Sequence, residues 1–143
     1  MTALSQPYAK FLGTWILQPH LSNYEQGDSP SAGTYQIMEV EGRIVFRIDW
    51  RDADDKEHQV EFNGIADGTR VPFAGGELAD ELAIVSVSPR ELNTYAYWQG
   101  REIMVAQRQL DPSEQAMRVT QLVRFPNGSH VANTSVYIRA VNN

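Results

Sequence analysis

The chain has 143 residues, 18 acidic and 12 basic side chains, a net charge of −6 and no cysteine. That length suits one domain, residues 1–143, able to bury roughly two-thirds of its unfolded surface without covalent staples. The composition excludes disulfides and thiolate metal sites, makes a reducing cytosol the natural compartment, and argues against a nucleic-acid partner, since phosphate contacts draw on Lys and Arg.

In chain order, Met1 to Lys10 lacks a basic stretch followed by an apolar run, so no leader is expected, and no later segment has the length of a membrane helix. Period-two alternation rich in β-branched and aromatic residues then predicts strands over 11–18, 34–40, 43–51, 57–66, 69–73, 82–88, 92–99, 102–110, 115–125 and 129–141. Turn chemistry separates most of them: Glu41-Gly42, Ala53-Asp54-Asp55, Asp67-Gly68, Pro89-Arg90, Gly100, Pro112-Ser113 and Asn127-Gly128. Only 19–33 and 74–80 exceed hairpin length, and the first, broken by Pro30, reads as a lid. Sequential strands joined by tight turns pair as antiparallel neighbours, and a long series of them hides its edges by closing. The predicted fold is therefore an all-β, antiparallel up-and-down barrel of about ten strands, with a two-sheet sandwich as the rival.

The hairpins assign faces. A two-residue Asn127-Gly128 turn pairs Val123 with Ala132, Gln121 with Thr134, Val119 with Val136 and Met117 with Ile138 as the inner set. The loop around Asp54 sets Ile48 opposite Val60 and Phe46 opposite Phe62, with Arg47–Glu61 and Arg51–Glu57 outside. Glu41-Gly42 brings Ile37 beside Phe46 and Tyr35 beside Ile48. The inner wall expected is Tyr35, Ile37, Phe46, Ile48, Trp50, Val60, Phe62, Val119, Val123 and Val136. For 92–99, either Tyr95 and Tyr97 or Ala96 and Trp98 face inward.

Ala9-Lys10-Phe11-Leu12-Gly13-Thr14-Trp15 resembles the opening of lipocalins and fatty-acid-binding proteins, the calycins, in which Gly-x-Trp begins the first strand. The Asp-Gly at Gly68, Pro-Phe at Phe73 and the ending Val136-Tyr137-Ile138-Arg139 are similar to uncharacterised bacterial lipocalin-like proteins. The resemblance implies a closed end where Arg139 packs over the Trp15 indole. Fatty-acid-binding proteins place an inward Arg-x-Tyr on the last strand; this chain has Tyr137-x-Arg139, and the two-residue turn points both outward. In an even-numbered barrel the turns after odd strands gather at the open end, which places His20, His58 and His130 there with Tyr24, Trp50, Phe73 and Trp98.

These readings predict a cavity for a small apolar or amphipathic ligand, lipid-like or another hydrophobic metabolite. Tyr35, Gln121 and Thr134 orient its polar end, and His58, Trp98 and His130 join the lining at the mouth. Two alternatives accompany it. One is an isomerase or cyclase using the inward Tyr35, His58, Gln121, His130 and Thr134. The other is haem ligation through a histidine, as in the barrels called nitrobindins, although Ile16-Leu17 stand where those show further glycines. No nucleophile elbow, Gly-rich phosphate loop or His-x-x-x-His occurs, so no cofactor or metal is expected, with haem as the alternative. The partners expected are a small hydrophobic ligand, with no nucleic acid and no membrane insertion; a homodimer is compatible.

Overall fold

A computed structural model describes residues 8–24, 30–73 and 79–140. The centres of both long loops, 25–29 and 74–78, and Val141 at the end of the last predicted strand lie outside the described residues.

The chain folds as an antiparallel up-and-down barrel. Its strands are β1 (Gly13–Leu17), β2 (Asn23–Tyr24), β3 (Ala32–Val40), β4 (Arg43–Arg51), β5 (Glu57–Gly64), β6 (Val71–Pro72), β7 (Glu81–Ser88), β8 (Glu91–Trp98), β9 (Arg101–Leu110), β10 (Ala116–Arg124) and β11 (His130–Arg139). Ten of them follow the order β5-β4-β3-β1-β11-β10-β9-β8-β7-β6, and β2 adds to β11. The ends of that order meet at a seam between β5 and β7, closed by an isolated Asp67–Val85 bridge and by Gly68 N–H donating to Ile84 C=O. Among the described residues no helix is long and apolar enough to cross a membrane.

The first half of the predicted register is present in the structure. Tyr35 pairs with Ile48 and Ile37 with Phe46, while Ile48 faces Val60, Phe46 faces Phe62, Arg47 faces Glu61 and Arg51 faces Glu57. Glu41 and Gly42 both have positive φ, 52° and 81°, the requirement of a two-residue turn whose twist matches the strands.

The last hairpin differs by one residue. Val123 pairs with Val131, Gln121 with Asn133 and Met117 with Tyr137. Pro126 is the cause. A two-residue Asn127-Gly128 turn would need the residue at 126 to donate a backbone N–H to the ladder, and proline has none. The chain instead closes at Phe125, whose N–H donates to Ser129 C=O, and Gly128 takes φ 89° at the end of a three-residue loop. Because side chains alternate with period two, this slip turns all of β11 over. His130, Thr134 and Val136 share the outward face with the exposed Ile138, and Tyr137 and Ser135 are buried. Two smaller differences concern the predicted strand 69–73, which is only Val71–Pro72, and β2, which sits where a loop alone was expected.

The slip also explains how the barrel closes. Trp15 pairs with Arg139, so both face the interior at the closed end. The Arg139 guanidinium lies 4.2 Å from the indole and donates to the carbonyls of Leu12 at 3.0 Å, Lys10 at 2.6 Å and Glu114 at 3.1 Å. Trp15 Nε1–H donates to Phe11 C=O at 2.9 Å, within a 3₁₀ turn (Ala9–Phe11) that plugs the end. Gly13 has φ 131°, and a Cβ there would lie 3.2 Å from Arg139 Nη1, so the glycine of Gly-x-Trp serves both backbone and guanidinium. Arg139→Ala should therefore lower stability to urea by about 2–3 kcal/mol, since three carbonyls lose a charged donor and the indole its cation.

Candidate functional site

Inward positions fall into two layers. Toward the closed end Phe11, Trp15, Ile37, Ile44, Phe46, Ile84, Leu92 and Met117 are 0–1% exposed and form one packed cluster. Above them, toward the mouth, lies a cavity of about 400 Å³. Its boundary is level around the barrel. On β3, β4, β8 and β10 the deepest lining residues are Tyr35, Ile48, Thr94 and Val119, and the next inward residues, Ile37, Phe46, Leu92 and Met117, belong to the packed layer. Val60, Phe62, Leu82, Ala96, Met104 and Ala106 form the shaft, and Trp50, Asp52, Phe73, Pro30 and Tyr24 form the rim.

Arg108 sits at the bottom of this cavity and is 1% exposed. Its Nε–H donates to Tyr35 Oη at 2.6 Å, and Nη1 donates to Thr94 Oγ1 at 2.7 Å and Leu92 C=O at 3.4 Å. The guanidinium also lies 4.3 Å from the centre of the Phe46 ring. Every one of these partners is neutral, and among the described residues no carboxylate pairs with Arg108. Burying a cation costs several kcal/mol when nothing of opposite charge accompanies it. Dipoles and ring faces offset part of this, and they leave the guanidinium electropositive toward the cavity.

Tyr137 stands beside this group, its ring edge-on to Tyr35 at 5.3 Å. It is 7% exposed and its hydroxyl has no hydrogen-bond partner among the described residues. Burial raises its pKa, as do the neighbouring Tyr35 and Tyr24 hydroxyls, so it stays a donor. Tyr35 is likewise raised by burial, with Arg108 pulling partly in the other direction. Higher up, Tyr24 Oη and Ser135 Oγ share a 2.7 Å hydrogen bond that pins β2 across the wall. Gln121 reaches the same space.

At the rim, Asp52 accepts the backbone N–H groups of Asp54 and Lys56 at 2.9 Å and bonds His58 Nε2 at 2.8 Å. The His58 ring stacks on Trp50 with centroids 5.1 Å apart. The hydrogen bond from His58, then that from Lys56 N–H, holds the Asp52 carboxyl below its ordinary range.

Of the fifteen lining positions read from the sequence, Tyr35, Ile48, Trp50, Val60, Phe62, Val119 and Gln121 line the cavity. Ile37 and Phe46 lie beneath it in the packed layer. Val123 is outside the lining, His130, Thr134 and Val136 face outward through the register slip, and His58, paired with Trp50 and stacked on it at the rim, does not reach the lining. Trp98, past a register shift between Ala96 and Tyr97, is 43% exposed; Thr94 and Ala96 are the β8 residues that line the cavity. Strand directions gather His20, His58 and His130 at the open end, yet none lines the cavity, and no group of three His, Asp or Glu fit to hold a metal occurs among the described residues.

Arg108 and Thr94 are absent from the sequence reading, and Tyr137, expected outward with Arg139, lines the cavity instead because of the register slip. The signal for Arg108 is its flanking by Gln107 and Gln109: period two cannot send all three outward, and two polar neighbours leave the arginine inside.

Fold and site define a calycin-type barrel with a half-filled interior. Solved structures similar to it include the zebrafish ileal bile acid-binding protein crystallised with cholic acid, at a TM-score of 0.56 and 9% identity, covering 92% of this chain and 99% of that one. No protein-family model matches the chain, and no curated protein matches it in sequence.

Two outcomes follow. Tyr35→Phe should cost about 1–3 kcal/mol in urea denaturation, because Arg108 loses a buried acceptor, whereas Tyr137→Phe should be nearly neutral. Asp52, depressed in the fold, contributes stability above its unfolded pKa of 3.8, and this is lost as pH falls through the folded value. His58→Ala should shift the Asp52 carboxyl back toward 3.8 in an NMR titration.

Proposed function

We propose that this protein binds a small amphipathic acid, its carboxylate seated on Arg108 and its apolar part in the shaft above. The observation that carries the reading is the buried guanidinium with only neutral partners at the end of an open apolar cavity. An anionic ligand supplies the missing counter-charge, and Tyr137 adds an unpartnered hydroxyl donor beside it. Val60, Met104, Ala106 and Val119 match a hydrocarbon. The calycin likeness supports this at the level of fold, since the bile acid-binding neighbour holds an amphipathic acid. The nearer likeness to bacterial lipocalin-like proteins, resting on the residues around Gly68, Phe73 and 136–139, adds no activity. A cytosolic carrier without resident cofactor fits a cysteine-free chain.

The test is competition of dodecanoate and dodecanol against a fluorescent probe. Wild-type protein should prefer the acid by roughly 10- to 100-fold, the value of a charged hydrogen bond, and Arg108→Met should erase the preference. Because that variant removes a buried charge, its stability to urea should be equal to wild type or higher. Equal affinity of acid and alcohol for wild type would sink the proposal.

A further inference from the structure

We infer that the acid is short, of about ten to twelve carbons, because the protein itself fills the lower half of the barrel; this rests on the reading of Arg108 as the acid-binding group. The limit has two ends. At the bottom, the cavity stops at Tyr35, Ile48 and Thr94, and the residues one step below, Ile37, Phe46 and Leu92, are 0–1% exposed. Interiors packed to crystal density hold no space for a chain. A head on Arg108 therefore sits as deep as any ligand atom can go.

At the top, the tail runs up the shaft to the Trp50 rim, above which no described residue lines the cavity. The cavity up to that rim holds about 400 Å³. Water takes about 30 Å³ per molecule in the liquid, so the cavity accommodates about thirteen heavy atoms. A saturated acid of ten to twelve carbons has about that number.

This shape has an energetic signature. Each methylene moved from water into the shaft strengthens binding about fourfold. A methylene beyond the rim stays hydrated and adds nothing. Affinity therefore climbs steeply with chain length and then levels off, where an unlimited cavity would continue the climb.

The experiment is probe competition with hexanoate, octanoate, decanoate, dodecanoate and hexadecanoate, each beside the alcohol of equal length. The expected result is a climb to decanoate or dodecanoate and a plateau beyond. Ala106→Leu, which narrows the shaft midway, should move the plateau to octanoate. Hexadecanoate binding clearly tighter than dodecanoate overturns the length limit while leaving the acid reading in place. Alcohols binding as tightly as acids, or no acid binding at any length, overturn the acid reading and the length limit with it.

Discussion

The structure depends on one joint. β1 has five residues and hydrogen-bonds to both β3 and β11, so it links the first strands of the chain to the last. At its start the backbone must bend at positive φ, the indole must turn inward, and the final strand must arrive with a cation facing that indole. Gly13, Trp15 and Arg139 meet these demands together. Arg139 also ties the 3₁₀ turn and the Glu114 loop to the barrel wall through carbonyls that would otherwise lack donors at a chain crossing. A shift of one residue in β11 would put Arg139 in solvent and leave the end unplugged. The proline that sets the register of the final hairpin therefore acts on the closed end through the whole length of β11.

The same parity controls the site. With Arg139 inward, Tyr137 and Ser135 are inward too, and Tyr137 stands next to Tyr35 and within the electrostatic reach of Arg108. The two arginines of the interior are handled differently. Arg139 is satisfied by backbone carbonyls and an indole at the surface-facing end. Arg108 is fully buried and satisfied by one phenol, one hydroxyl and one carbonyl, with no anion among the described residues. A cation retained under such conditions weakens the fold relative to an apolar residue. In the proposed function the carboxylate of the ligand would complete its stabilisation.

The rim is organised on other terms. Asp52 holds its own loop through backbone donors and fixes His58 against Trp50, so the wall beside the mouth is cross-linked on the β4–β5 side. Across the mouth, β2 is tied to β11 by a short ladder and the Tyr24–Ser135 hydrogen bond.

Alternation and turn chemistry by themselves determined the antiparallel barrel and the register of β3, β4 and β5, whereas the meeting of Trp15 with Arg139 was implied by the family resemblance while the expected turn pointed Arg139 outward. The first two are local or follow from strand parity, and each neighbouring residue carries part of the signal. Tertiary structure decided which inward residues face space and which face each other: Tyr35 and Ile37 alternate identically, yet one borders a cavity and the other is packed against Phe46 and Trp15. It also decided the depth of Arg108: Gln107 and Gln109 turn it inward, but only the folded barrel brings Tyr35 of β3 and Thr94 of β8 together to accept its hydrogen bonds. The facing of β11 lay between the two. Pro126 announces it in the sequence, but Asn127-Gly128 announces the opposite, and only the missing N–H of proline settles the conflict.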